Sequence, residues 1–108
     1  MTDAELVVRL RAACGEAEFL LQPGLKIRLA DLEAGLCNPD HVVADAWRQT
    51  GKAILEVALG RTLKAQAAHE ADPEARLELE AQADHQIIAG ARTLRALGVT
   101  VRGVPTVH

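Results

Sequence analysis

The chain has 108 residues, of which 49% are hydrophobic and 25% charged, with a formal net charge of −3. So much apolar residue at so little net charge excludes a disordered chain, and a chain of this length folds around one core without needing a metal or disulfide. Twelve Lys and Arg against 15 Asp and Glu leave no basic stripe of the kind nucleic-acid binding requires, and a 2% aromatic content leaves no platform for stacking bases or sugars.

Other classes fall away on local grounds. Cys14 and Cys37 are far apart and form no CxxC or Cys/His zinc spacing. The start, Met1-Thr2-Asp3-Ala4-Glu5, is acidic and lacks the basic region and long apolar run of a signal peptide. No apolar run approaches the length of a membrane span. The expectation is a cytoplasmic protein with free thiols and no membrane association.

The first helix is expected over residues 3–21. Thr2 and Glu5 stand at capping-box spacing. Leu6, Val7, Leu10, Cys14, Ala17, Leu20 and Leu21 follow at helical spacing. Gln22-Pro23-Gly24 ends the pattern. The next stretch supports two readings. Leu25, Ile27 and Leu29 alternate like a strand, whereas Leu25, Leu29, Leu32 and Leu36 recur like a helix. The helical pattern runs longer and a lone strand has no partner, so a helix is expected over 25–36.

Asn38-Pro39-Asp40 predicts a third helix over 39–71, with Asn38 as its cap. Its apolar face reads Val43, Ala46, Trp47, Ile54, Val57 and Ala58. Gly51 and Gly60 sit inside it, each less favourable than alanine by about 1 kcal/mol, and so predict close helix contacts or bends. Asp72-Pro73-Glu74 repeats the start signature. A fourth helix is expected over 73–97, with Leu77, Ala81, Ile88, Ala91 and Leu94 inward and Gly98 as the cap. The tail, 99–108, opens on an alternating run that reads as short and extended. The whole reads as a single all-α domain, a four-helix bundle-like fold dominated by a long C-terminal helical hairpin.

The hairpin tip is the exception to a compact bundle. From Ala65 to Leu77 it offers mainly Ala, Gln and charged residues. The first two helices are too short to cover a long arm of about 45 Å. The tip is therefore expected to project, or to pack against another copy; a solvated helix end is the plainer alternative.

Residues that could carry chemistry are few. If the hairpin turns near Asp72, His69 and His85 are about ten residues apart along it, on the order of 15 Å, too far to share one metal. No Glu-x-x-His pair of the di-iron bundles occurs. His41 and Asp45 share a helix face, which suits either general-base work or a plain surface pair. Asp84 falls in the apolar stripe of the last helix, where a carboxylate needs a partner such as Arg48, Lys52 or Arg61. Cys37 precedes a helix start, where thiolates are favoured, but has no evident base and reads more simply as a small core residue.

No phosphate loop, nucleophile elbow or HExxH motif is present. The expectation is a non-catalytic interaction or assembly module with no cofactor: an adaptor, scaffold or homo-oligomeric structural protein, one version being a connector of a phage particle, which would place it in the virion. Its partner would be another protein or itself. Its interface candidates are Trp47, Gly51, Gly60, Ala65, Ala68, Val99 and Val101. The competing expectation is a small ligand- or metal-binding bundle, enzymatic or not, with a site near Asp84 and His85.

Overall fold

The computed structural model describes residues 1–14, 19–22 and 25–97, with side chains for 1–13 and 28–97. The fold is all-α; the described residues form four helices with a small two-stranded hairpin between the first two. In order these are α1 (Asp3–Cys14), β1 (Phe19–Gln22), β2 (Leu25–Ile27), α2 (Leu29–Leu36), α3 (His41–Ala68) and α4 (Pro73–Ala96). The tail expected over 99–108 lies outside the described residues, as does the Gly98 cap.

The segment between Cys14 and Leu29 corrects two expectations. α1 stops at Cys14 and does not run to residue 21. Residues 25–27 are strand and not the start of a helix. The alternation at Leu25 and Ile27 lacks a partner in the sequence pattern, and Phe19–Gln22 is that partner. The two pair antiparallel, with Phe19 opposite Ile27 and Leu20 opposite Lys26, and the register shifts before Gln22 meets Leu25. A strand's stability comes from a neighbour whose position periodicity cannot report.

Helix starts follow local chemistry. The Thr2 hydroxyl accepts from the Glu5 amide at 3.2 Å and opens α1. At α2, the Arg28 amide donates to the Asp31 carboxylate at 3.3 Å. Asp40, not Asn38, caps α3: its carboxylate accepts from the amides of Val42 and Val43 at 2.9 and 3.4 Å. Asn38 instead accepts from the Asp40 amide at 2.9 Å, a short side-chain turn that leaves Pro39 outside the helix. Asp72 caps α4 as the sequence predicts, with Pro73 in the first turn.

The core lies at the open end of the α3–α4 hairpin. Leu6 and Leu10 of α1, Leu32 of α2, Ala53, Ile54, Leu55 and Val57 of α3, and Leu94 of α4 form one buried cluster. Each large member contributes roughly 1.5–3 kcal/mol of transfer free energy. Gly51 makes room for it: a Cβ there would lie 3.1 Å from Leu6 and 3.2 Å from Leu32 side-chain carbons. Trp47 packs against the cluster with its indole over Gly35 of α2.

The two long helices approach closely because glycine and alanine line their seam. Gly60 faces Ala83 and Ile87, and Gly90 faces Ala53 and Val57, the register expected from a turn near Asp72. Ala67, Ala83 and Ala91 are buried there as well. The inward stripe of α4 is therefore Ala83, Ile87, Gly90, Ala91 and Leu94. Leu77 and Ala81, expected inward, are exposed. On α3, Val43 and Ala46 are likewise exposed, and Ala44, Gly51 and Ala53 are buried in their stead.

At 1.5 Å per residue, α3 and α4 are about 42 and 36 Å long. The core occupies only part of that length. From Leu59 through the turn to Gln86, the fully buried positions are Gly60, Ala67 and Ala83, all on the seam between the two helices. The hairpin tip is thus two helices packed on each other.

Candidate functional surface

Ion pairs organise the surface of the described residues. Arg48 of α3 holds Asp3 of α1 by two hydrogen bonds, Nε to Oδ1 at 2.7 Å and Nη2 to Oδ2 at 3.2 Å. It also donates to Asp45 at 3.2 Å. The Arg48 guanidinium holds the Asp3 carboxyl below its ordinary value, and the carboxylate in turn raises Arg48. Arg11 of α1 reaches Glu33 of α2 at 3.0 Å, and Lys64 of α3 reaches Asp84 of α4 at 2.9 Å.

The Asp3–Arg48 tie has a pH consequence. A depressed carboxylate pKa adds stability above the unfolded value of about 3.9, and that stability is lost as pH falls through the folded value. Asp3→Asn is therefore expected to lower the thermal midpoint at pH 7. The gap between parent and variant should close as the pH falls from about 3.9 through the lowered folded value of Asp3. A gap of equal size at both ends of the titration would show that the ion pair is not its source.

Two of the expected polar-site residues, Asp45 and Asp84, are held in ion pairs. Asp84 sits at the edge of the α4 stripe with its side chain 41% exposed, and its partner is Lys64, not Arg48, Lys52 or Arg61. Arg48 stands at the other end of the molecule, with Asp3. Asp45 accepts from Arg48 and Gln49, at 3.2 and 2.8 Å, so its oxygens are directed away from an orienting role toward the exposed His41. His85 is exposed on α4, and His69 caps the C-terminus of α3. Among the described residues, no three His, Cys, Asp or Glu side chains converge as a metal ligand set.

Cys37 is exposed and is the C-cap of α2, not a core residue. It closes α2 and lies before the first turn of α3. It borders a cleft of about 340 Å³ between α1 and α2, with Asp3, Ala4, Val7, Glu33 and Leu36. A second cleft, about 290 Å³, is lined by Arg11, Arg28, Leu29, Ala30 and Glu33. Neither lining includes a histidine.

The interface candidates divide by burial. Gly51 and Gly60 are filled by contacts within the chain, and Trp47 is half-buried on Gly35. Ala65 and Ala68 are exposed on the tip. Val99 and Val101 lie outside the described residues. No helix among the described residues is long and apolar enough to cross a membrane.

What sequence reasoning missed is the outer face of α4. Leu77 is 67% exposed there, and Ala81, Ile88 and Arg95 share its side of the helix within about 40° of arc. The charges of α4 are segregated: Glu74, Glu78, Glu80 and Asp84 stand in its first half, against Arg76 alone, and Arg92 and Arg95 in its second. The signal was in the sequence, but reading Leu77, Ala81 and Ile88 as core hid it.

Comparison with known proteins adds no relative: no protein-family model, no curated protein and no solved structure matches this chain.

Proposed function

We infer that this protein is a non-catalytic helical assembly module that works through the outer surface of its α3–α4 hairpin. The observation that carries this reading is the uncovered tip. About half of the hairpin extends past the core cluster, and it carries Leu59 and Leu77 at 44% and 67% exposure. Large apolar side chains on a projecting, rigid helix pair favour contact with another protein surface. The ion pairs that use Asp3, Asp45 and Asp84 give those carboxylates structural work, which also favours this reading.

Light scattering on the purified chain, with metal analysis of the same peak, tests it. The expected result is a metal-free species of defined mass above that of one chain. A monomer carrying stoichiometric metal or a small ligand would overturn the assembly reading and redirect attention to the α1–α2 cleft and to Asp84 and His85.

A further inference from the structure

We propose that the outer face of α4 binds the same face of a second copy, with the two α4 helices antiparallel about a two-fold axis. The inference rests on the assembly reading above and names its partner and surface.

The face is self-complementary. Glu74, Leu77, Ala81, Ile88, Arg92 and Arg95 fall within about 60° of arc on α4. A two-fold axis through the middle of Pro73–Ala96 sets each residue of the first half opposite one of the second. Glu74 then meets Arg95 of the other copy, and the aliphatic part of Leu77 meets the stem of Arg92. Ala81 meets Ile88, so a large side chain enters the gap left by a small one. Asp84 and His85 flank the axis. A parallel pairing would instead set acidic half on acidic half and basic on basic, which like-charge repulsion disfavours.

The individual residues are available for this contact. Leu77, Ala81, Arg92 and Arg95 are exposed, and Ile88 is half-buried. The only member of α4 in the core cluster is Leu94, so α1 and α2 leave this side of the helix open. The Lys64–Asp84 pair is intramolecular and uses Oδ1 of Asp84, so the pairing does not require it to break. Ala81 beside the axis leaves room for Ile88 of the other copy within the usual interaxial range of about 8–10 Å.

The test is charge reversal read by sedimentation velocity over a range of protein concentrations. Arg95→Glu puts two glutamates opposite each other, twice per dimer, and is expected to weaken dimerisation by about tenfold or more. Glu74→Arg combined with Arg95→Glu restores opposite charges in swapped order and is expected to recover the parental dimer. Circular dichroism and thermal unfolding keep the comparison honest, since both positions are exposed and neither variant should alter the monomer's fold. A parental dimer indifferent to Arg95→Glu would overturn the α4 pairing while leaving assembly through another surface. A double variant that stays as weak as the single would also overturn it, because loss without rescue is not charge pairing. A chain that remains monomeric at high concentration, with no metal or ligand, overturns self-association and leaves a different protein as the partner.

Discussion

Gly90→Val is expected to destabilise the fold by about 3 kcal/mol and to lower the thermal midpoint by roughly 10–15 °C. The reason is backbone proximity. A Cβ built on Gly90 lies 2.6 Å from the carbonyl oxygen of Ala53, 2.8 Å from Cγ2 of Val57 and 3.2 Å from Cβ of Glu56. The first of these is a main-chain atom in the middle of α3. It cannot swing aside, so α4 must move bodily away from α3 or bend. Either movement also opens the packing of Ala83 and Ile87 on Gly60 further along the seam.

Gly90→Ala decides whether the clash or the helix propensity dominates. Alanine gains about 1 kcal/mol over glycine within a helix. Overpacking at this separation costs about 1–3 kcal/mol. The expected net effect is therefore a smaller destabilisation, with valine clearly worse than alanine. A higher midpoint for Gly90→Ala in a thermal melt would mean that the two helices are further apart than the seam requires.

That glycine explains what was legible in the sequence and what was not. The number of helices, the Asp72-Pro73 start and the hairpin register could be read directly, because caps and turns are local chemistry. The inward face of α4 could not. Hydrophobic periodicity follows large side chains, and Leu77, Ala81 and Ile88 make a convincing stripe. The actual seam runs through Ala83, Gly90 and Ala91, where side chains are small or absent. Close helix approach selects for missing bulk, which a hydrophobicity pattern scores as weakness. The same error placed Asp84 inside the stripe and gave it the wrong partner.

The β hairpin failed to read for a different reason. Leu25 and Ile27 carried the alternation of a strand, but their partner, Phe19–Gln22, read as the end of a helix. Neither segment alone outweighs the helical pattern around it; only pairing does. The candidate surface shows a third case. The acidic first half and basic second half of α4 are plain in the sequence, yet they acquire meaning only once the face between them is known to be exposed.

Leu94 and Leu77 separate the two readings of α4 most sharply, since both are leucines on one helix and both look inward by spacing. Leu94 is 0% exposed and joins α4 to the cluster of Leu6, Leu10, Leu32, Ile54 and Val57. Leu94→Ala removes its contacts with that cluster and leaves a cavity, at an expected cost of about 3 kcal/mol. Leu77→Ala, at 67% exposure, should change the unfolding free energy of the dilute chain by less than about 0.5 kcal/mol. Chemical denaturation of both variants at low protein concentration measures the contrast. Equal costs would return Leu77 to the core and remove the exposed face. The expected asymmetry, together with a Leu77→Ala effect that emerges only as concentration rises, would place Leu77 between molecules: its burial would then come from association and not from folding.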